Sequence, residues 1–66
     1  MTVLINGKTR EVGEGTTLVE LLAALGFSHQ GLLVEHNGRA LFAREFDNTS
    51  LKDGDKLELV RVAAGG

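Results

Sequence analysis

Residues 15–26 read GTTLVELLAALG, and the fold is decided by whether this stretch is a helix with a single apolar face. Thr17 and Glu20 stand in the capping-box spacing T-x-x-E, in which each side chain satisfies an orphan backbone N–H of the first turn. Leu18, Leu21, Leu22 and Leu25 recur at i, i+3, i+4 and i+7 and so share one helix face. Gly26 stands where a left-handed C-terminal cap is wanted. The stretch predicts a helix from Leu18 to Leu25, about two turns long, with its leucines against a sheet.

Before the helix, Val3 and Ile5 alternate with Thr2 and Leu4, the period of a short strand. Asn6-Gly7 is a two-residue hairpin signal because both residues tolerate positive φ, and Thr9 to Val12 reads as the return strand. The run GEGTT, Gly13 to Thr17, stops it and reverses the chain. After the helix comes a strand, Leu32 to His36, closed by a second Asn-Gly at Asn37-Gly38, with Arg39 to Leu41 as a short partner. From Phe42 to Ser50 the period is lost; Phe46 and Leu51 are expected to plug the core from an irregular segment with at most one turn of helix. Lys52-Asp53-Gly54-Asp55 is a further turn signal, and the last strand runs from Lys56 to Val62.

One helix cannot cover both faces of a sheet, so the order hairpin, helix, strand pair, irregular stretch and last strand is an α+β layer pair. The compact arrangement is a helix packed diagonally over a mixed sheet of four or five strands. That arrangement is the β-grasp, or ubiquitin-like, fold, in which the first and last strands lie parallel at the centre. The expected division is a domain over residues 1–62 and a slender tail over 63–66.

Composition narrows the function. The 66 residues hold no cysteine, which removes disulfides, thiolate metal sites and every thiol mechanism of the chain's own. Seven basic residues against nine acidic ones give a net charge of −2, the wrong balance for a nucleic-acid footprint. No apolar run approaches the roughly 20 residues of a membrane span, and MTVLING has no basic region ahead of a hydrophobic one. The expectation is a cytoplasmic domain, monomeric when free. His29 and His36 lack a third ligand for a metal site. Asp53 and Asp55 flank a glycine without the distal glutamate of a calcium loop and read as turn residues. Ser28, Ser50 and the threonines have no partnered base, which leaves hydrolase chemistry unsupported.

Two features remain for function. In the last strand Leu57 and Leu59 point one way and Glu58, Val60 and Val62 the other. With the leucines and with Val3 and Ile5 facing the helix, Leu4, Val60 and Val62 would form an apolar docking patch on the open sheet face. A bulge that turns Val60 inward, or scattered surface valines, would explain the same pattern. The second feature is the ending VRVAAGG, Val60 to Gly66. A terminal carboxylate is ionised at neutral pH, its ordinary pKa being about 3.3–3.7, and is a poor electrophile. Activation by ATP as an acyl-adenylate supplies a leaving group, after which sulfur attacks the carbonyl and leaves a thiocarboxylate. Gly65 and Gly66 leave that carbonyl uncrowded and take whatever φ a narrow channel requires. Ala63 and Ala64 prolong the thin section to four residues, a reach of roughly 13–14 Å.

A β-grasp pattern ending in Gly65-Gly66 resembles the prokaryotic sulfur-carrier proteins, and within them the ThiS type. The resemblance covers the whole chain: VLING at the start, GTTLVELLAALG over the helix, VEHNGRALFAREF in the middle and LKDGDKLELVRVAAGG at the end. Asn37-Gly38 and Arg44 match the type, whereas Ala43 stands where proline is usual. The related molybdopterin-synthase small subunit is longer and approaches its Gly-Gly through proline; this chain has none. The resemblance implies a sulfur carrier of thiamine biosynthesis, a co-substrate and not an enzyme, with no tightly bound cofactor and no metal. Gly66 would carry the adenylate and then the thiocarboxylate, with Gly65 as its channel neighbour. The implied partners are an E1-like adenylyltransferase using ATP and magnesium, a persulfide-bearing sulfurtransferase or cysteine desulfurase, and thiazole synthase. A sulfur carrier for molybdopterin, tRNA thiolation or cysteine synthesis, or a ubiquitin-like protein modifier, would share the activation step.

Overall fold

Both ends of the helix form as their caps dictate in the computed structural model, which describes residues 1–62. The helix α1, Leu18–Leu25, starts at Thr17, whose hydroxyl accepts the Glu20 N–H while the Glu20 carboxylate accepts the Thr17 N–H. It ends at Gly26 in the left-handed region, φ 80°, with the Gly26 N–H directed to the carbonyls of Ala23 and Leu22. Leu18, Leu21 and Leu22 are buried and Leu25 is half-buried, so the leucine stripe meets the core along one side.

The sheet has five strands: β1 Thr2–Ile5, β2 Lys8–Glu11, β3 Leu32–His36, β4 Arg39–Leu41 and β5 Lys56–Arg61. Their spatial order is β2-β1-β5-β3-β4. Strands β1 and β5 run parallel, and every other neighbouring pair is antiparallel. The last strand therefore takes the central place in the sheet, beside the first.

The core lies between α1 and one face of the sheet. Val3, Leu32, Val34, Leu41, Leu57 and Leu59 meet the helix leucines there, with Phe46 and Leu51 closing one end. The segment expected to hold at most one turn of helix instead forms a 3₁₀ helix over Ala43–Asn48, two turns at three residues each. Its start is held by the Phe42 N–H donating to the Glu45 carboxylate at 2.7 Å, and its end by the Thr49 hydroxyl donating to the Glu45 carbonyl at 2.8 Å. Phe46, fully buried, ties it to the core. No hydrophobic period announces this element because a single side chain anchors it.

Two asparagines secure the central strand. Asn6 and Asn37 open the two Asn-Gly turns with φ of 51° and 52°, and each side chain continues a ladder after its own strand has stopped. The Asn6 amide takes the Leu59 N–H at 2.8 Å and donates to the Leu59 carbonyl at 3.2 Å, engaging the main-chain groups that a longer β1 would engage. Asn37 accepts the Lys56 N–H through its side chain at 2.9 Å and donates its own N–H to the Lys56 carbonyl at 2.8 Å. Asn-Gly signals a turn in any sequence; these two turns also hold β5 from opposite sides.

Candidate functional site

Everything expected of the chain's chemistry lies at the far end of β5. Ala63, Ala64, Gly65 and Gly66 fall outside the described residues, so the site that the structure presents is the strand leading to them and the open sheet face around it.

Alternation along β5 holds without a bulge. Leu57 and Leu59 are buried, whereas Val60 is 53% and Val62 46% exposed. Val60 lies directly opposite Leu33 of β3, which is 58% exposed. Phe42 follows Leu41 in extended conformation. The β3–β4 register sets Leu41 against Val34, so Phe42, one residue on, comes level with Leu33 and is 64% exposed. An apolar row thus crosses the open face from Phe42 through Leu33 to Val60, with Val62 one step further along β5. The Arg44 guanidinium stacks over the Phe42 ring at 4.7 Å.

Leu4 does not join this row. The β1–β5 register places it opposite Lys56, four residues before Val60 and so about 13 Å away along the strand. Alternation in the sequence assigned Leu4 to the correct face, but only register tells how far two strands slide past each other. The same consideration hid Leu33 and Phe42: LLVEH does turn Leu33 outward, yet nothing in the sequence says that Val60 is its neighbour.

Beside the row the face is charged. Glu35 and Glu58 lie directly opposite one another on β3 and β5, both exposed, an arrangement that costs stability through like-charge repulsion. Lys56 and Ala40 complete this part of the surface.

At the start of β5, Asp55 is the buried acidic residue, 7% exposed. Its carboxylate accepts His36 Nε2 at 2.8 Å, the Lys52 N–H at 2.8 Å and the Asn37 side-chain amide at 3.1 Å. Burial pushes its pKa up, but these hydrogen bonds outweigh burial and hold the carboxyl below its ordinary value. Asp55 is therefore more than a turn residue, and His36, the last residue of β3, is its partner. Asp53 lies in the turn and ties it to β1, its carboxylate accepting the Thr2 N–H at 2.7 Å. Among the described residues no group of three or more His, Cys, Asp or Glu side chains is arranged to hold a metal ion, and no helix is long and apolar enough to cross a membrane.

Support for β5 becomes one-sided towards its end. Among the described residues, the last tie on the β1 side is Asn6 at Leu59. On the β3 side Arg61 lies opposite Leu32, and the Val62 N–H donates to the Gly31 carbonyl at 2.6 Å.

Residues 3–66 match the ThiS family. The chain is 38% identical to the sulfur carrier protein ThiS of Thermus thermophilus over 97% of its own length and 98% of that protein's. It is also similar to the crystal structure of the thiamine biosynthesis protein ThiS from Geobacter metallireducens, with a TM-score of 0.84, 38% identity and full coverage of both chains. It is 33% identical over its whole length to a thiazole synthase of Paramagnetospirillum magneticum, spanning 20% of that longer protein. The family match and the likeness in sequence and fold to these ThiS proteins show that the chain belongs to the ThiS family of sulfur carriers in thiamine biosynthesis.

Proposed function

We propose that the chain carries sulfur as a thiocarboxylate on Gly66, loaded and unloaded by partner enzymes that dock on the open sheet face. The observation that carries this reading is the family match, which runs through residue 66 and so includes both terminal glycines. In the first step a Gly66 carboxylate oxygen attacks the α-phosphorus of ATP bound with magnesium in an E1-like adenylyltransferase of the ThiF type. A phosphoanhydride bond breaks and pyrophosphate leaves. In the second step the terminal sulfur of a persulfide, borne by a sulfurtransferase or cysteine desulfurase, attacks the acyl carbon and displaces AMP. A thiol then cleaves the S–S bond, becoming a disulfide and leaving the thiocarboxylate on Gly66. The chain supplies no catalytic group of its own and binds no cofactor tightly; Gly65 gives the channel neighbour that does not crowd the reacting carbon.

Thiazole synthase is the proposed recipient, and the presence of a region similar to this chain within a thiazole synthase polypeptide supports the assignment. Docking is assigned to Val60, Val62, Leu33 and Phe42, since contiguous exposed apolar surface marks a partner site. Ala63 and Ala64 provide the thin approach to the partner's channel. Work takes place in the cytoplasm, where ATP and persulfide donors are found together.

The test is to incubate the protein with ATP, magnesium, a ThiF-type adenylyltransferase and a persulfide donor, and to weigh the C-terminal peptide. Exchange of one oxygen for sulfur is expected in the full chain and none after deletion of Gly66, with an unchanged melting temperature expected alongside. Loading that survives the deletion refutes the terminal-carboxylate mechanism. Adducts on lysines of other proteins would instead mark a modifier.

A further inference from the structure

The two edges of the sheet are not alike. At one edge β4 is three residues long, and the next outward N–H, that of Phe42, is already taken by the Glu45 carboxylate at 2.7 Å. At the other edge β2 is exposed at all four residues. Met1 and Val12 exchange both main-chain hydrogen bonds, each at 2.8 Å. By antiparallel alternation Arg10 and Lys8 also turn their main-chain groups to β1, opposite Val3 and Ile5. The N–H and carbonyl groups of Thr9 and Glu11 therefore point outward along a free edge. Lys8 and Arg10 share the helix side of the sheet with Val3 and Ile5, and they line a groove of about 260 Å³ with Ile5, Thr9 and Leu25. Neither cation has an ion-pair partner among the described residues. Glu20, which borders the same seam beside Arg10, is engaged at the helix cap. On the open side of the sheet the Glu11 carboxylate takes the Thr2 hydroxyl.

We propose that β2 is an acceptor edge for an extended acidic segment of a partner protein, which adds to the sheet antiparallel, pairs with Thr9 and Glu11 and sets alternate carboxylates against Lys8 and Arg10. Charge decides the occupant. A second copy of this chain is the obvious competitor, since identical edges can pair about a twofold axis. Only outward-turned residues can meet there, so the registers are Thr9 on Thr9, Thr9 on Glu11 and Glu11 on Glu11. The first sets Lys8 against Arg10, the second Arg10 against Arg10 and the third Glu11 against Glu11. Like charges directly opposite destabilise every one of them. A segment with acidic residues two apart instead presents both carboxylates on the helix side, while the residue between them lies against Thr9. Its glutamate methylenes can rest on Ile5 and Leu25, both half-buried. Addition at this edge leaves the open face around Val60 free, since β1 stands between β2 and β5.

The experiment titrates the full chain with the end-capped peptide Thr-Lys-Glu-Thr-Glu-Thr and follows its amide shifts by NMR. The control, Thr-Thr-Lys-Glu-Glu-Thr, has the same composition but sends its two glutamates to opposite faces. The expected result is the largest shifts at the Thr9 and Glu11 amides, slower solvent exchange at both, and an affinity about fivefold or more above that of the control. Thr9→Pro deletes an outward N–H that the β1 ladder does not use, and an edge strand tolerates proline in that orientation; it should abolish the response. Lys8→Glu combined with Arg10→Glu should weaken binding by about tenfold or more, and this variant carries the test if the proline variant does not fold. An edge charged only to ward off pairing gives no shift at Thr9 and Glu11 with either peptide, and that result overturns the proposal. Equal affinity for the two peptides, binding that survives Thr9→Pro in a folded chain, or shifts centred on Leu33 and Val60 overturn it as well.

Discussion

Replacing Asn6 by glycine isolates the work of one side chain on the central strand. Glycine takes the positive φ that Asn6 adopts, 51°, so the turn itself is preserved. What disappears is the pair of hydrogen bonds to Leu59, at 2.8 Å from its N–H and 3.2 Å to its carbonyl. Each such bond contributes about 1 kcal/mol net, and the greater freedom of glycine in the unfolded chain adds about 0.5 kcal/mol. The loss is therefore about 2.5 kcal/mol. A chain of this size has roughly 3–10 kcal/mol in total, and the melting temperature should fall by roughly 10–20 °C. Denaturant titration and calorimetry measure the global change. Hydrogen exchange locates it: the Leu59 amide should lose protection beyond that lost at Leu22 in the helix. Asn6→Asp serves as the internal comparison, since it keeps an acceptor for the Leu59 N–H but sets a carboxylate against the Leu59 carbonyl. That variant should be destabilised while its Leu59 amide stays protected. A change below about 0.5 kcal/mol for Asn6→Gly, with Leu59 exchange unaltered, refutes the idea that the side chain continues the β1 ladder, because two such bonds cannot together contribute so little.

Asp55→Asn should cost about 2–4 kcal/mol at neutral pH, since it replaces an ionised acceptor of three hydrogen bonds with a neutral amide that turns a donor towards one of them. The folded-state pKa of Asp55 lies below its unfolded value, so the stabilisation is full above about pH 3.9 and is lost as pH falls through the folded value. Melting curves of wild type and variant should accordingly converge on acidification below that point; a constant gap down to strong acid contradicts the assignment. Val60→Glu should weaken association with the adenylyltransferase by about tenfold, read by calorimetry, while an exposed site keeps the stability change within about 0.5 kcal/mol. Unchanged affinity would remove Val60 from the docking surface.

How much of this was legible beforehand depends on how local each signal is. The helix was, because its caps and leucine spacing lie within Thr17 to Gly26. Both hairpins were, because Asn-Gly defines its own turn. The face taken by Val60 and Val62 followed from alternation. What could not be read was sliding between strands distant in sequence: Leu4 meets Lys56 and Val60 meets Leu33, and no residue announces either pairing. The 3₁₀ helix escaped because Phe46 alone anchors it, and the buried role of Asp55 escaped because His36 and Asn37 reach it from a different hairpin. The double duty of Asn6, turn residue and ladder extension, is visible only once β5 lies beside it.

The opposed carboxylates of Glu35 and Glu58 bear on how the free protein behaves at high concentration. Its apolar row would otherwise invite a second molecule to stack sheet against sheet. Such a pairing about a twofold axis through this surface would gather the four carboxylates where water is being expelled, a repulsion set against the Lys56 and Arg44 cations that the same face carries. A partner carrying lysine or arginine there meets no such barrier and relieves the existing repulsion instead. The same two side chains therefore turn a sticky surface into a selective one, and because the discrimination is electrostatic it fades as ionic strength rises.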